Sequence, residues 1–582
     1  MTRFCIVPAL LAAVAFAAPA EKVVRLSLHP SEAALSGEHP RQSMLVMALL
    51  DNGVERDVTA EAVFQTDAPA VLRVSAEGAV AVSGGSARVT ASYGGHTAEA
   101  RFIAAHLDSR RSVSFSSDIA PILTQLGCTG SNCHGSVRGK AGFKLSLFGA
   151  RPDLDYEAIV KSDKGRRLNL ANPDESLVLT KPTMKIPHGG GLRFRPDSVQ
   201  FDLIRRWIAS GTTFDNGAPK LDSIQVYPDQ QILVGASAKQ RLIVTGRFSD
   251  GAVADLTDRV RYSSNDDSTA AVDERGVVTA KRPGETAIMI RVQGRTTVAR
   301  IAISLSPPRQ DYPSVAASNF IDEVVFAKLK QLNIVPSELS SDPVFVRRVY
   351  LDTLGVLPSP SETRRFLADS GPGKRARLID ELLLRPEFVD LWAMKFADLF
   401  QLGGTGVKGG WQLYRWIRQS LAGGKPHDQM VREMLVGTGS FVYDPTVNFY
   451  KGLATGPEGM VTQVSQSLLG VRMDCAKCHD HPFEDWTQDD FYGMGGFFTR
   501  LVRKAEPYGL FEHAVVLRPT GKPSYDYVGN NQEFLNPRTK QPVKARFLGG
   551  DTVEFRGGED VRQKLADWLT APRNPWFTRA LV

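Results

Sequence analysis

Two stretches of this chain read alike. Residues 51–102 run DNGVERDVTAEAVFQTDAPAVLRVSAEGAVAVSGGSARVTASYGGHTAEARF, and residues 249–301 run SDGAVADLTDRVRYSSNDDSTAAVDERGVVTAKRPGETAIMIRVQGRTTVARI. Asp57-Val58-Thr59 aligns with Asp255-Leu256-Thr257, and Gly78 with Gly276. A repeat constrains the fold more than any single motif does, because what one copy folds into the other must fold into as well. Each copy alternates apolar and polar residues in short runs between Gly, Asp or Asn turns, which is the pattern of half-buried antiparallel strands. Several such strands in about 85 residues predict a β-sandwich. The two copies are assigned to residues 22–105 and 221–305.

At 582 residues the chain exceeds what one hydrophobic core serves, so several domains are expected. The net charge of +7 is small for this length, and its basic residues are dispersed. Nucleic-acid binding is therefore excluded as a main role. Arg3, an apolar run from Cys5 to Ala18, and small residues around Ala15-Phe16-Ala17 or Ala18-Pro19-Ala20 predict a secretory signal peptide over residues 1–20. No other stretch approaches 18 uninterrupted apolar residues, so the chain is not expected to be an integral membrane protein. The expected location is exported, periplasmic or at the cell surface.

The four cysteines beyond that leader form two motifs that each end in histidine: Cys128-Thr-Gly-Ser-Asn-Cys133-His134 and Cys475-Ala-Lys-Cys478-His479. A cysteine pair followed at once by histidine is the attachment signature of c-type haem. Two thiols add across the porphyrin vinyl groups, and the adjacent imidazole becomes the proximal iron ligand. The second motif has the usual two-residue spacer; the first has four, a longer loop between the thioethers. Three other chemistries use these residue types. Short-loop disulfides would remove little chain entropy. Zinc could use Cys475, Cys478, His479 and His481, although four ligands within seven residues crowd a tetrahedral ion. A thioredoxin-like pair would need a strand-to-helix context that is missing around Cys475.

Between the copies, Ser117 or Asp118 is expected to cap a short helix with Pro121 in its first turn, ending at Gly127 just before the first motif. Residues 197–209 place Phe201, Ile204, Trp207 and Ile208 on one helical face. A helix, a haem loop and a closing helix with an aromatic make a small cytochrome c over residues 112–215. Downstream, helical spacing is read around Phe320–Leu329, a helix start at Ser340-Ser341-Asp342-Pro343, and a helix over 378–383. Trp392, Phe396, Leu399, Trp411, Tyr414 and Trp416 are expected in the core.

The D-[VL]-T step, the Val-Xaa-Xaa-Xaa-Gly-Xaa-Val segment and the late Gly-Xaa-Ala/Thr strand make both copies resemble the bacterial immunoglobulin-like domain, group 2. PILTQLGCTGSNCHG, KAGFKLSLFGARPDLDYEAIV and KIPHGGGLRF resemble the planctomycete-type cytochrome c domain of large exported proteins. Residues 317–505, through FVRRVYLDTLGVLPSPSETRRFL, PHDQMVREML and LLGVRMDCAKCHDHPFEDWTQDDFYGMGGFF, resemble the uncharacterised domain that commonly follows it. After a linker at 506–561, RQKLADWLTAPRNPWFTRALV at 562–582 resembles the opening of that family's second uncharacterised domain, here truncated. The resemblance implies a multi-domain chain: two all-β immunoglobulin-like sandwiches, a small all-α cytochrome c domain between them, and a mostly α C-terminal module.

A low-spin haem needs a second axial ligand. Related domains often carry Met-Pro-Pro-Gly where this chain has Met184-Lys-Ile186-Pro-His188-Gly-Gly-Gly, so the ligand must shift. His188 is the first choice, because the glycines after it let backbone approach the macrocycle, and Met184 is the second. An unliganded iron beside a merely solvated His188 is the remaining option. For the second motif no distal ligand is selected from His513, Met460, Met473, Met494 and His427. His481 lies too near His479 to reach the opposite face. Glu484, Asp485, Asp489 and Asp490 read as helix caps before they read as proton shuttles.

The expected function is an exported multi-domain c-type cytochrome. It would carry haem c at the first motif and a second haem at the other, and pass electrons to a redox partner protein of the cell envelope. The immunoglobulin-like domains would dock or space it at the envelope or surface. No catalytic site is identified, so it would be at most the electron-transfer part of an oxidoreductase. The alternative is a surface adhesion or scaffold protein whose Cys/His sites are structural zinc or disulfides.

Overall fold

A computed structural model describes residues 22–581 except 38–39, 108–111, 137, 215–216, 218, 403–407, 441–442, 478–480, 482–483, 485, 505–513, 518–523, 528–529, 538–539 and 555–558. The expected signal peptide lies outside the described residues. The chain divides into two compact units, residues 1–336 and 337–582.

The first unit holds both repeats, and they agree strand for strand. In the first copy Val23–His29, Leu45–Leu50 and Glu55–Asp57 form one sheet in that order. Glu32–Leu35, His96–Ala104, Gly85–Tyr93 and Val63–Thr66 form the second, with Glu32–Leu35 pairing in parallel. Arg41–Gln42, Gly78–Ala81 and Leu72–Ser75 make a third, short sheet. The second copy repeats each order with Leu221–Tyr227, Ile243–Phe248 and Val253–Asp255, then Gln230–Val234, Arg295–Ser304, Gly284–Val292 and Arg261–Ser264, then Lys239–Arg241, Val277–Ala280 and Ala270–Val272. Inward residues of both main sheets close a separate core in each copy, Val46, Val89 and Phe102 in one and Val244, Ile288 and Ile301 in the other.

The D-[VL]-T step has a structural reason. Asp57 Oδ1 accepts the Thr59 amide at 2.9 Å, and Thr59 Oγ1 accepts the Val46 amide at 2.9 Å. Asp255 and Thr257 do the same at 2.8 Å and, with Val244, 3.0 Å. The second oxygen of each aspartate crosses to the other copy. Asp57 Oδ2 accepts from the Arg241 amide at 2.7 Å, and Asp255 Oδ2 from the Ser43 amide at 2.5 Å. Ser43 and Arg241 occupy equivalent positions, as do Leu45 and Ile243, which meet with Met47 in a small buried cluster. His29 stacks on its equivalent Tyr227 at 4.1 Å. Each patch thus meets its own counterpart, which is the geometry of an isologous dimer inside one chain.

Between the copies Ser114 caps a π turn, Phe115–Ile119, that runs into the helix Ala120–Gln125. The cap was expected at Ser117 or Asp118; the wider turn moves it upstream, with Ser114 Oγ accepting the Ser117 amide at 3.2 Å. The closing helix Val199–Ala209 buries Ile204, Trp207 and Ile208 against Phe115.

The second unit is mainly helical: Asp342–Leu354, Pro360–Ala368, Lys374–Leu383, Pro386–Leu399, Lys408–Ala422, His427–Val436, Pro457–Leu469, Gln488–Gly495 and Val561–Leu569. Residues 506–561 are not a plain linker, because Ala514–Leu517 pairs with Leu501–Lys504, and Val543, Ala545 and Leu548 join the helical core. The helix of residues 561–569 buries Leu565 and Leu569 in that same core. Trp411 corrects the expected aromatic core. It is 62% exposed and stacks only along its own helix on Tyr414, because the inward face there carries Leu413 and Ile417.

Candidate haem site on the Cys128 loop

The helix Ala120–Gln125 ends at Gly127, whose φ of +77° suits a residue without a side chain. The loop then turns on itself: the His134 amide donates to Cys128 O at 3.0 Å and the Cys133 amide to Gly130 O at 3.0 Å. Gly135 fits so closely that a Cβ there would come 1.9 Å from Thr129 O. Cys128 packs against the small helical core, and burial pushes its thiol up to about 11. The structure places no disulfide between Cys128 and Cys133.

His134 presents one nitrogen. Its Nδ1 lies 3.1 Å from Phe143 O, and the Phe143 ring rests on the imidazole at 4.5 Å. Arg167 in turn lies over the Phe143 ring at 4.5 Å, fastening the stack. Burial is the main reason the His134 pKa sits below the ordinary histidine value, which favours the neutral imidazole a metal requires.

His188 faces it. The two rings are nearly parallel, 10° apart, with centroids separated by 6.4 Å. His188 Nδ1 lies 3.0 Å from Gly191 O, so both histidines spend Nδ1 on a carbonyl and keep Nε2. Gly190 makes this placement feasible: a Cβ there would meet the His188 ring at 2.7 Å. Two thiols and two imidazoles that keep Nε2 are the donor types that would hold a c-type haem. Met184 sits at a φ of +62° and is 46% exposed. Met184, Ile186 and Leu192 leave exposed apolar surface on the loop that carries His188.

The second motif is only partly visible. Cys475 lies half-buried in the turn Asp474–Lys477; Cys478 and His479 lie outside the described residues, as do Asp485 and His513. His481 Nδ1 accepts the Glu484 amide at 3.1 Å. Met460, Met473 and Met494 are packed in the helical core. His427 stacks on Phe577 at 5.2 Å. Asp490 completes a capping box with Thr487, and Asp489 accepts from Asn536 at 2.7 Å. A cavity of about 450 Å³ nearby is lined by Val471, Glu484, Trp486, Trp576 and Arg579, among others. Among the described residues no three His, Cys, Asp or Glu side chains gather as a site for a lone metal ion, and no helix is long and apolar enough to cross a membrane.

Fold and site together define a multi-domain protein in which immunoglobulin-like sandwiches flank a small helical segment that holds paired thiols and paired imidazoles. Comparison with known families makes part of this specific. Residues 221–300 match the bacterial Ig-like domain (group 2), and residues 320–503 match a family described as a protein of unknown function (DUF1549). No curated protein matches the chain. Among solved structures, the surface-layer protein SbsC, domains 1–6, aligns at 13% identity and a TM-score of 0.14, over 50% of this chain and 29% of that one. SbsC domains 5–6 align at 8% identity and a TM-score of 0.20, over 49% of this chain and 99% of that one. Overlap at such scores carries no argument about fold or function.

Proposed function

We propose that this protein is an exported c-type cytochrome that moves electrons in the cell envelope. Cys128 and Cys133 would hold the haem covalently, His134 would be its proximal ligand and His188 its distal one. The reading rests chiefly on one observation, the near-parallel His134 and His188 rings 6.4 Å apart with each Nδ1 already engaged. When bound, haem supplies a one-electron couple whose potential depends on axial ligands, hydrogen bonds and burial. The protein's own part is to orient. Phe143 O and Gly191 O set the two imidazole tautomers, Phe143 and Arg167 brace one ring, and Gly190 makes room for the other. Exposed Met184, Ile186 and Leu192 offer apolar surface for a macrocycle to cover.

A second haem on Cys475, Cys478 and His479 belongs to the same proposal, as does docking at the envelope through the immunoglobulin-like pair. Maturation in a host with a competent haem-attachment system provides the test. The product should show a Soret band, a haemochrome typical of two thioethers, and an intact mass raised by two haem groups. His188→Ala should lose the bis-imidazole low-spin spectrum, while Met184→Leu should keep it. Gly190→Ala should weaken low-spin character by displacing the His188 ring. A colourless product defeats the proposal and favours a scaffold protein. A mass gain of one haem removes the second motif from it.

A further inference from the structure

The second immunoglobulin-like copy touches the haem loop with side chains that its repeat partner lacks. Arg261 and Arg291 are register partners on adjacent strands. The same register pair in the first copy is Val63 and Ser92. Two like charges placed opposite each other destabilise a ladder, so the sandwich itself has no use for them. Arg291 Nη1 also donates to Ser263 Oγ in its own sheet at 3.1 Å, and beyond that both arginines reach into the segment between the copies. The Arg261 guanidinium occupies the space beside Gly127, where a Cβ would come 2.5 Å from Nη1, and the same nitrogen donates to Gln125 O at 3.4 Å. Arg291 is buried and lies over the Phe148 ring at 4.6 Å; the Phe148 amide in turn donates to Thr129 O at 2.9 Å. The two arginines thus reach the start of the Cys128 loop and the turn that holds Thr129, its next residue. Gln293 and Gln125 add contacts, to Ser116 O at 3.4 Å and from Gln125 Nε2 to Asp258 O at 2.6 Å.

We propose that the second immunoglobulin-like domain is a structural part of the haem site, with Arg261 as a positioning residue that fixes the Cys128 loop and raises the haem's reduction potential. This rests on the haem reading above. Arg193 Nη1 lies 3.5 Å from Leu126 O, and the positive charges of Arg193 and Arg261 both favour the thiolate form of Cys128, against the burial that raises its pKa. Oxidised haem carries one more positive charge than reduced haem. A fixed cation near Cys128, which would carry one thioether, would therefore favour the reduced form.

The test uses the full chain in two states. In haem-free protein, amide hydrogen exchange over residues 125–134 should speed up in both Arg261→Gln and Arg261→Lys, because lysine lacks the planar fork. In haem-loaded protein, redox titration should give Arg261→Gln a lower midpoint potential than the parent, while Arg261→Lys keeps most of the parent's value. Unchanged exchange in both variants overturns the positioning role. An unchanged midpoint in Arg261→Gln, with haem content and low-spin spectrum intact, overturns the electrostatic role. If Arg261→Gln takes up no haem, the lysine variant decides: a midpoint shifted far from the parent's despite its retained charge overturns that role too. A parent chain that never acquires haem defeats the cytochrome reading and leaves the exchange experiment to judge the loop contact alone.

Discussion

Val63 and Arg261 occupy the same place in their respective sandwiches, each opening the strand that pairs with the longer Gly85–Tyr93 or Gly284–Val292 strand. Val63 is 60% exposed, whereas Arg261 is half-buried against Gly127. The scaffolds around them share strand order, a parallel closing strand and the aspartate-to-threonine turn. What differs is what each copy faces. Both use one patch to hold the other copy, and among the described residues the second also uses Arg261 and Arg291 to hold the Cys128 segment. A duplicated fold carries its own control: positions where the copies agree serve the sandwich and its pairing, and positions where they part point to a job only one copy performs.

The sharpest way to break the comparison is through the aspartates. Asp57 accepts two turn donors and Asp255 one, and each accepts one amide from the opposite copy, a hydrogen bond to a charged acceptor that contributes about 2 kcal/mol. Loss of the cross-copy bond alone should cost Asp57→Ala and Asp255→Ala at least about 2 kcal/mol each by denaturant unfolding, and the double variant at least about 4. Equal single costs are the signature of the two-fold arrangement. If only one substitution matters, the pairing is not symmetric and the comparison fails.

Next in size is an effect on the Cys128 side alone. Asp155 is buried and accepts from the Ser146 amide and hydroxyl at 2.5 and 2.8 Å; burial, outweighing those bonds, pushes its carboxyl up to about 6. A native pKa above the unfolded value means the folded chain binds the proton more tightly. Stability should therefore rise as pH falls from above 6 toward 4, by roughly 2–3 kcal/mol, and level off below that. Asp155→Asn should flatten this rise, because the amide still accepts from the Ser146 backbone and can donate to its hydroxyl. Unfolding midpoints across pH 4–8 for parent and variant check the claim. A rise that persists in the variant assigns it to another group.

Much of this was legible from residue order. Alternation and turn residues predicted the sandwiches, and periodicity placed the Trp207 helix. The glycines after His188 read as letting backbone approach a macrocycle; what the structure shows is Gly190 against the His188 ring, where a Cβ would come 2.7 Å from it. The Ser114 cap escaped notice because a π turn adds a residue to the first loop of the helix, and sequence spacing assumes the ordinary pitch. Trp411 escaped because an aromatic flanked by two half-buried neighbours reads as core until the helix phase is set by Leu413 and Ile417. The pairing of the copies is invisible to periodicity, since it joins equivalent residues far apart in the chain. The arginines left one unused signal: in the aligned repeats, Val63 and Ser92 give way to Arg261 and Arg291, a change from neutral to doubly charged at a strand pair.

The smallest effect sharpens that last point. Placing arginine at both Val63 and Ser92 would give the first copy the charge pair of the second without the loop that receives it. Like charges facing across a ladder should then cost about 0.5 kcal/mol at low salt, and most of that should vanish at 1 M salt, where screening is strong. Val63→Arg alone should be close to neutral, because the position is open to solvent. Denaturant unfolding at two salt concentrations separates the cases. A double variant as stable as the parent at low salt would mean that the sandwich tolerates the pair unaided, and the contrast between the copies would then say nothing about what Arg261 and Arg291 are for.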